Sequence, residues 1–224
     1  MSKLYIVSTP IGNLSDITFR AVETLKSVDL IACEDTRTSK KLLNRYDIQT
    51  RLVSYHQHSK QPKLDFIVEE LRAGKDIAVI TDAGTPGISD PGGKLIEEVV
   101  KKNGSEVEVL TIPGPSAVIA ALSISGFPVD KFLFLGFMPH KKGRETFIKR
   151  IVDSSETVAF YESTHRIMKT LDQMRDKIGA RNIMVGRELT KKFESTYRGT
   201  VDEVISQLEE SSTKGEFVIV INNK

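Results

Sequence analysis

A short apolar run passes directly into a glycine-rich loop in the stretch IAVITDAGTPG, which extends from Ile77 to Gly87. Four consecutive apolar residues, Ile77–Ile80, are typical of a strand that is buried on both faces of a parallel sheet. The loop continues to Gly93 and holds four glycines and two prolines in thirteen residues. Glycine lets backbone groups approach a ligand closely, and loops this long in compact folds are usually functional. We therefore predict a ligand site here, with a plain turn as the alternative.

Apolar runs and amphipathic helical segments alternate on both sides of this stretch. The pattern predicts strands at residues 4–8, 30–33, 52–55, 77–80 and 107–111. It predicts helices at 17–27, from 36 or 38 to 46, at 62–73, at 92–102 and after 116. Asp16 and Ser116 are the predicted caps of the first and last of these helices. This alternation indicates a mostly parallel sheet covered on both faces, whose ligands bind at the carboxyl ends of the strands. The loops at residues 9–15, 81–93 and 112–116 should therefore converge on one rim of the sheet.

A second α/β unit is predicted after the turn-forming residues 125–128. We place the domain boundary between Phe127 and Pro128, so that residues 1–127 and 128–224 form two domains. Strands are predicted at residues 133–137, 158–161, 183–187, 194–199 and 217–221, in a mixed sheet. Helices should end near 152, 178 and 208, and Thr164 is the predicted cap of the second of these.

Composition narrows the possible functions. The 224-residue chain has a net charge of +2, so any surface that binds nucleic acid must be local. Cys33 is the only cysteine, which excludes an intrachain disulfide and a cysteine zinc cluster. No apolar run approaches the roughly 20 residues that span a bilayer, so we expect a cytoplasmic protein. Neither common phosphate-binding glycine motif is present, which favours a nucleoside-like ligand without a polyphosphate.

Several further runs resemble one family closely. They are VSTPIGNL at residues 7–14, ACEDTR at 32–37, SYH at 54–56, TDAGTPGISDP at 81–91, PGPSA at 113–117, FLGFMP at 134–139, FYESTHR at 160–166, GRELTK at 186–191 and GEF at 215–217. Each run alone is moderately specific, but their order covers nearly the whole chain. The sequence resembles the ribosomal RNA small subunit methyltransferase I family, within the tetrapyrrole-methylase-fold (class III) methyltransferases.

The resemblance implies two α/β domains of the tetrapyrrole methylase type, with S-adenosylmethionine in the cleft between them, and a homodimer. It also implies 2′-O-methylation of a cytidine ribose in the decoding region of 16S rRNA in the small ribosomal subunit. Matching positions imply cofactor contacts from both domains. These are Pro10, Asp82, Gly84, Pro86, Ser116, Ala117, Leu135, Glu188, Leu189, Gly215 and Glu216.

Methyl transfer from a sulfonium is an in-line displacement, and a base or charge stabiliser would help a weakly acidic ribose hydroxyl. The candidates are Asp35, Arg37, His56 and Lys191. Asp35 could accept the proton or cap the following helix, and Arg37 could bind phosphate or pair with Asp35. His56 could contact RNA or act as a base, and Lys191 could lie near the acceptor or be solvated. His56 and His58 do not predict a metal site, because no third ligand has an evident place.

Basic residues near two of the matching runs are candidates for RNA binding. Lys141, Lys142 and Arg144 belong to a glycine-bearing basic loop, and Arg166 ends the FYESTHR run. Such groups bind phosphates without reading sequence. The run at 162–166 could instead form a domain interface. Other functions considered are methyl transfer to a tetrapyrrole or a protein side chain, and a non-catalytic ribosome assembly factor that retains a cofactor pocket.

Overall fold

The computed structural model describes residues 1–56, 59, 61–89 and 92–223. It divides into two compact units, Met1–Ser116 and Ala117–Lys224. No helix within the described part of the chain is long and apolar enough to cross a membrane.

The first unit is built on a five-stranded parallel sheet. Its strands are β1 (Ser2–Val7), β2 (Leu30–Cys33), β3 (Leu52–Ser54), β4 (Ile77–Ile80) and β5 (Val107–Ile112), in the order β3-β2-β4-β1-β5. Its helices are α1 (Phe19–Ser27), α2 (Thr36–Arg45), α3 (Gln61–Arg72) and α4 (Gly93–Asn103). The predicted parallel α/β architecture of this half is confirmed.

Alternation along the central strands explains why both faces of this sheet are covered. Ile77 and Val79 face one apolar cluster, which includes residues of α3 and α4. Ala78 and Ile80 face the other, which includes residues of α1 and α2. Because β2 and β4 are buried along their whole length, they read in the sequence as continuous apolar runs.

The cap predicted for the first helix was wrong. Thr18, not Asp16, precedes α1, and its side-chain oxygen accepts a hydrogen bond from the backbone of Ala21. Asp16 ends a short 3-10 turn, Leu14–Asp16, that comes before it. Both residue types favour the cap position, but Ile17 after the turn is still extended, so the helix begins at Phe19, two residues later than predicted.

The second unit has a mixed sheet. Its elements are α5 (Ala117–Ser125), β6 (Phe132–Phe137), α6 (Arg144–Asp153), β7 (Thr157–Ser163), α7 (Ile167–Ile178), β8 (Ile183–Arg187), β9 (Ser195–Gly199), α8 (Val201–Glu210) and β10 (Glu216–Ile221). The strand order is β6-β7-β10-β8-β9. The β6–β7 pair is parallel, whereas the other three pairs are antiparallel. A single apolar cluster joins this sheet to α6, α7 and α8.

Two features of the second unit differ from the sequence expectation. It begins at Ala117 instead of Pro128, because α5 packs against β7 and β10 and Val118 donates its backbone N–H to the Tyr161 hydroxyl (3.2 Å). Thr164 does not cap α7, since the helix begins at Ile167. The Thr164 side chain instead bonds both backbone groups of Gly215, donating to the carbonyl at 2.6 Å and accepting from the N–H at 2.7 Å.

Candidate functional site

Three loops meet at the carboxyl ends of the strands in the first unit, as their positions after β1, β4 and β5 predicted. Thr9 and Gly84 exchange two backbone hydrogen bonds, of 2.9 and 3.0 Å. The hydroxyl of Thr85 bonds that of Ser8 at 2.8 Å and donates to the Pro115 carbonyl at 3.2 Å. The loops therefore form one connected rim.

Glycine is required where these loops approach one another. Gly84 has φ +84°, a conformation that side-chain-bearing residues rarely adopt. At Gly114 an added Cβ would lie only 3.0 Å from the Cβ of Ser8. Pro10 and Pro86 are buried, as is Gly84, whereas Asp82 and Ala83 are exposed. The rim thus offers an exposed carboxylate, that of Asp82, on a rigid base.

Three carboxylates, Glu34, Asp35 and Asp82, form what we call the acidic rim, at the ends of the neighbouring strands β2 and β4. Oδ1 of Asp82 accepts the backbone N–H of Asp35 at 3.2 Å. The carboxylate of Glu34 in turn accepts the backbone N–H of Asp82. Partial burial is the main cause that raises the pKa of both Glu34 and Asp82. The charge of Asp35 raises the pKa of both further, and the charge of Asp82 also raises that of Glu34. A cation or a hydroxyl donor is the natural ligand for such a group. The position of Glu34 next to the predicted Asp35 was the signal that could have identified it.

Asp35 takes the capping role that the sequence left open. Its carboxylate accepts the backbone N–H of Arg37 at 2.8 Å at the start of α2, and its Oδ2 pairs with the Arg37 guanidinium at 2.7 Å. The bonds to Arg37 lower the pKa of Asp35 to about 2. A carboxylate with so low a pKa is a poor proton acceptor, so this geometry weakens the case for Asp35 as a base. Arg37 is exposed apart from this pairing.

His56 is half-buried after β3, near Glu34, whose pKa it lowers. Its backbone N–H donates to the Ser59 hydroxyl at 2.9 Å. His58 lies outside the described residues. Within the ranges that the structure does describe, no group of three or more His, Cys, Asp or Glu side chains could hold a metal ion.

In the second unit, the residues predicted around Glu188 come together. The Glu188 carboxylate accepts the backbone N–H of Glu216 at 2.9 Å, and the Lys191 ammonium bridges Glu188 (3.0 Å) and Glu216 (2.7 Å). Glu188 has φ +50°, and a Cβ on Gly215 would lie 2.6 Å from its Cγ. A strained residue held by a close glycine is typical of functional sites.

The charges of this cluster stabilise each other. Burial lowers the pKa of Lys191, but the hydrogen bonds to Glu216 and Glu188 outweigh it and leave the pKa raised. Burial likewise raises the pKa of Glu188, but its bonds to Glu216 and Lys191 outweigh it and leave the pKa lowered. Lys191 is therefore a paired cation, not the solvated lysine that was the alternative.

Replacing Glu216 with glutamine should lower the pKa of Lys191, because burial continues to lower it while one of the two carboxylates that raise it is removed. NMR titration of the protein with ¹³C-methylated lysines measures this directly. Glu194→Gln is the matched control, since Glu194 lies in the same turn but accepts from the Thr190 backbone. A Lys191 titration that is the same in wild type and Glu216→Gln would contradict the bridge.

The remaining candidates for cofactor contacts occupy ordinary positions. Leu189 is buried and packs over Gly186, where an added Cβ would meet its side chain at 3.1 Å. Leu135 is half-buried against the core of the second unit. Ser116 and Ala117 are half-buried and are the last and first residues of the two units. Their role in binding stays a prediction.

The basic residues predicted to bind RNA fall into two groups. Lys141 and Lys142 are exposed in the turn before α6. Arg144 is buried, however, with its guanidinium bonded to Gln173, Pro139 and Thr170, and the Arg166 side chain is only 14% exposed and pairs with Glu162. The structure thus argues against direct phosphate contacts from either arginine, because their donors bind groups inside the unit. The buried Glu162 was missed because it lies on β7, whereas Arg166 comes after that strand, and only the turn between β7 and α7 brings the two together.

A two-unit α/β fold with a rim formed by three loops can be compared with the folds of known proteins. Residues 3–205 match the family model "Tetrapyrrole (Corrin/Porphyrin) Methylases". Diphthine synthase has a TM-score of 0.77 at 12% identity, over 99% of this chain and 90% of that chain. Cobalt precorrin-4 methyltransferase has a TM-score of 0.71 at 18% identity, over 98% and 94%. At these identities the two structures show the fold alone, which is that of the tetrapyrrole methylases.

Similarity in sequence is more specific. The chain is 43% identical to ribosomal RNA small subunit methyltransferase I of Thermotoga maritima over 100% of both chains. The proteins of the same name from Mycoplasmopsis pulmonis and Bacillus subtilis are 48% and 46% identical, over 98% and 99% of this chain and 97% and 75% of theirs. The chain belongs to the ribosomal RNA small subunit methyltransferase I family, which confirms the resemblance of its motifs.

Proposed function

We propose that this protein transfers a methyl group from S-adenosylmethionine to the ribose 2′-hydroxyl of a cytidine in the decoding region of 16S rRNA. The observation that carries the proposal is the end-to-end similarity to proteins named for small-subunit rRNA methylation. The cytidine and its 2′-oxygen come from the family resemblance of the motifs. A homodimer and a cytoplasmic location are proposed on the same ground.

The chemistry of the first unit's rim fits the proposed cofactor. S-adenosylmethionine is a nucleoside that bears a sulfonium and an ammonium but no phosphate. The rim has a carboxylate at Asp82, two more at Glu34 and Asp35, and close backbone around Gly84. Carboxylates suit ribose hydroxyls and cationic groups. The observed acceptors are therefore those that the hydroxyl and cationic groups of such a ligand need.

Two separate roles in cofactor binding follow from this chemistry. In the first unit, Asp82 would hold a hydroxyl or cationic group, while Pro10, Gly84 and Pro86 would shape the surface beneath the ligand. Ser116, Ala117, Leu135, Glu188, Leu189, Gly215 and Glu216 are proposed to complete the contacts. When bound, the cofactor supplies a methyl group that is already activated by its sulfonium.

The protein must still orient the acceptor and accommodate its proton. Because the pKa of Asp35 is about 2, we propose that Asp35 orders the start of α2 and that it does not act as the base. His56 is the better candidate base, since an imidazole is a common proton acceptor in enzymes. Lys191 is paired with two carboxylates, so we propose that it holds the Glu188 turn in place.

Incubation with labelled S-adenosylmethionine and small ribosomal subunits from cells lacking the enzyme tests the function. We expect label on a ribose oxygen of a cytidine in the decoding region, located by mapping the rRNA. Label on a subunit protein would show that the acceptor is a protein side chain and not rRNA. Cofactor binding without transfer to rRNA would leave the assembly factor or another acceptor, such as a tetrapyrrole, as the function.

A further inference from the structure

A buried carboxylate lies at the centre of a polar network in the second unit. The Glu162 side chain, on β7, is 0% exposed. Its Oε1 pairs with the Arg166 guanidinium at 2.7 Å and accepts the Ser163 backbone N–H at 2.8 Å. Its Oε2 accepts the hydroxyl of Thr170, on α7, at 2.7 Å. Both carboxylate oxygens are thus hydrogen-bonded inside the unit.

Two arginines extend this network to a single short segment. Arg166 Nη1 donates to the carbonyl of Met138 at 2.8 Å. Arg144 Nη1 donates to the next carbonyl, that of Pro139, at 3.0 Å, and its Nη2 donates to the Thr170 hydroxyl at 2.9 Å. Two successive carbonyls at the end of β6 are therefore fixed by side chains that all connect to Glu162.

These carbonyls lie at the start of the basic loop, which we define as residues 140–143. The loop ends where Gly143, with φ +88°, precedes α6, and the first residue of that helix is Arg144 itself. Arg144 therefore ties the end of the loop to its beginning. His140, Lys141 and Lys142 are exposed between the two fixed ends.

The energetics of the network indicate a role beyond stability. Removing a carboxylate and a guanidinium from water is costly, and well-packed apolar residues often stabilise a core as well as a buried ion pair does. Fixing a loop in its binding conformation lowers the conformational entropy lost when a ligand binds. Lysine side chains bind phosphates largely through charge. The affinity of the protein for RNA phosphates therefore depends on where the lysine ammonium groups are held.

We propose that Glu162, Arg166, Thr170 and Arg144 are positioning residues that hold the basic loop so that Lys141 and Lys142 bind phosphates of the rRNA. The inference rests on the proposed function, because it takes rRNA as the ligand of the loop. In this inference the two arginines act by positioning the lysines. They do not make the direct phosphate contacts that the sequence suggested.

Thr170→Val tests the link with little change in volume, since it removes only the hydroxyl between Glu162 and Arg144. Thr157→Val is the matched control. Thr157 is equally buried, lies at the opposite end of β7, and donates to the Pro128 carbonyl at 2.6 Å. Both variants are made in the wild type and in a Lys141→Ala/Lys142→Ala background. Affinity for small ribosomal subunits is measured over a range of salt concentrations.

Removing the two lysines should flatten the slope of log affinity against log salt by about 1.4 to 1.8. Thr170→Val should weaken subunit binding by about fivefold when the lysines are present and by less than about twofold when they are absent. In the protein without RNA, Thr170→Val should also speed trypsin cleavage after Lys141 and Lys142 by about tenfold. Thr157→Val should change neither the binding nor the cleavage.

Equal losses of affinity with and without the lysines would overturn the proposal, as would cleavage at the wild-type rate. Unchanged binding after removal of the two lysines would also overturn the proposal about the loop. In that case, methylation of the subunits by the wild type would still leave the proposed function intact. If the wild type methylates no rRNA, the proposed function has failed, and trypsin cleavage and binding still report separately on the loop.

Discussion

Replacing Glu162 with alanine should lower the free energy of unfolding of the second unit by about 3 to 5 kcal/mol. The carboxylate is 0% exposed and bonds Arg166, whose side chain is only 14% exposed. Alanine would leave this guanidinium buried without its anion and would remove the acceptor of the Thr170 hydroxyl. An uncompensated buried charge is among the few causes of so large a loss.

Urea denaturation followed by hydrogen exchange of amides in β7 and β10 measures this loss in the second unit alone. The control is Glu209→Ala, which removes an exposed carboxylate of α8 and should change the free energy by no more than about 0.5 kcal/mol. A loss in Glu162→Ala as small as that of the control would mean that Arg166 finds another partner or reaches water.

The elements best predicted from the sequence are those whose pattern depends on burial alone. β2 and β4 have the predicted bounds, because a strand covered on both faces must be apolar at every position. The meeting of the three loops was also predictable, since the carboxyl ends of parallel strands share one edge. The cap of α1 was not, because Asp16 and Thr18 are both good caps and only the backbone of the intervening turn decides between them.

The function of a charged side chain was harder to predict, because it depends on partners that are distant in the sequence. Arg144 follows two exposed lysines and reads as part of the same basic patch. Its partners Thr170 and Gln173 come 26 and 29 residues later, on α7. In the same way, the contact of Gly215 with Glu188 joins two runs whose separation in the sequence gives no sign of it. Periodicity identifies the buried face of a helix but does not identify the polar groups that face it.

The acidic rim in the first unit has a structural function beside the binding function that we propose for it. The bonds from Asp35 to Asp82 and from Asp82 to Glu34 join the ends of β2 and β4, so the carboxylates already have backbone partners before any ligand binds. Of the three carboxylate residues, Asp82 is exposed, whereas Glu34 and Asp35 are half-buried. A ligand of the rim would therefore meet Asp82 first.

Replacing Asp82 with alanine should weaken the binding of S-adenosylmethionine roughly ten- to hundredfold, as expected for loss of a hydrogen bond to a charged group. Calorimetric titration of the purified protein measures this. The matched control is Asp29→Ala. Asp29 is also exposed and also joins β2 to β4, since its carboxylate accepts the backbone N–H of Asp76 at 2.8 Å, but at the opposite ends of those strands.

Because each variant removes one bond between the same two strands, both should lose a similar amount of stability, and only Asp82→Ala should lose cofactor affinity. Wild-type affinity in both variants would remove Asp82 from the cofactor site. Equal losses of affinity would show that the ligand responds to the joining of β2 and β4, not to the carboxylate. A loss confined to Asp82→Ala, with both proteins folded, would identify the carboxyl ends of these strands as the edge of the sheet that binds the methyl donor.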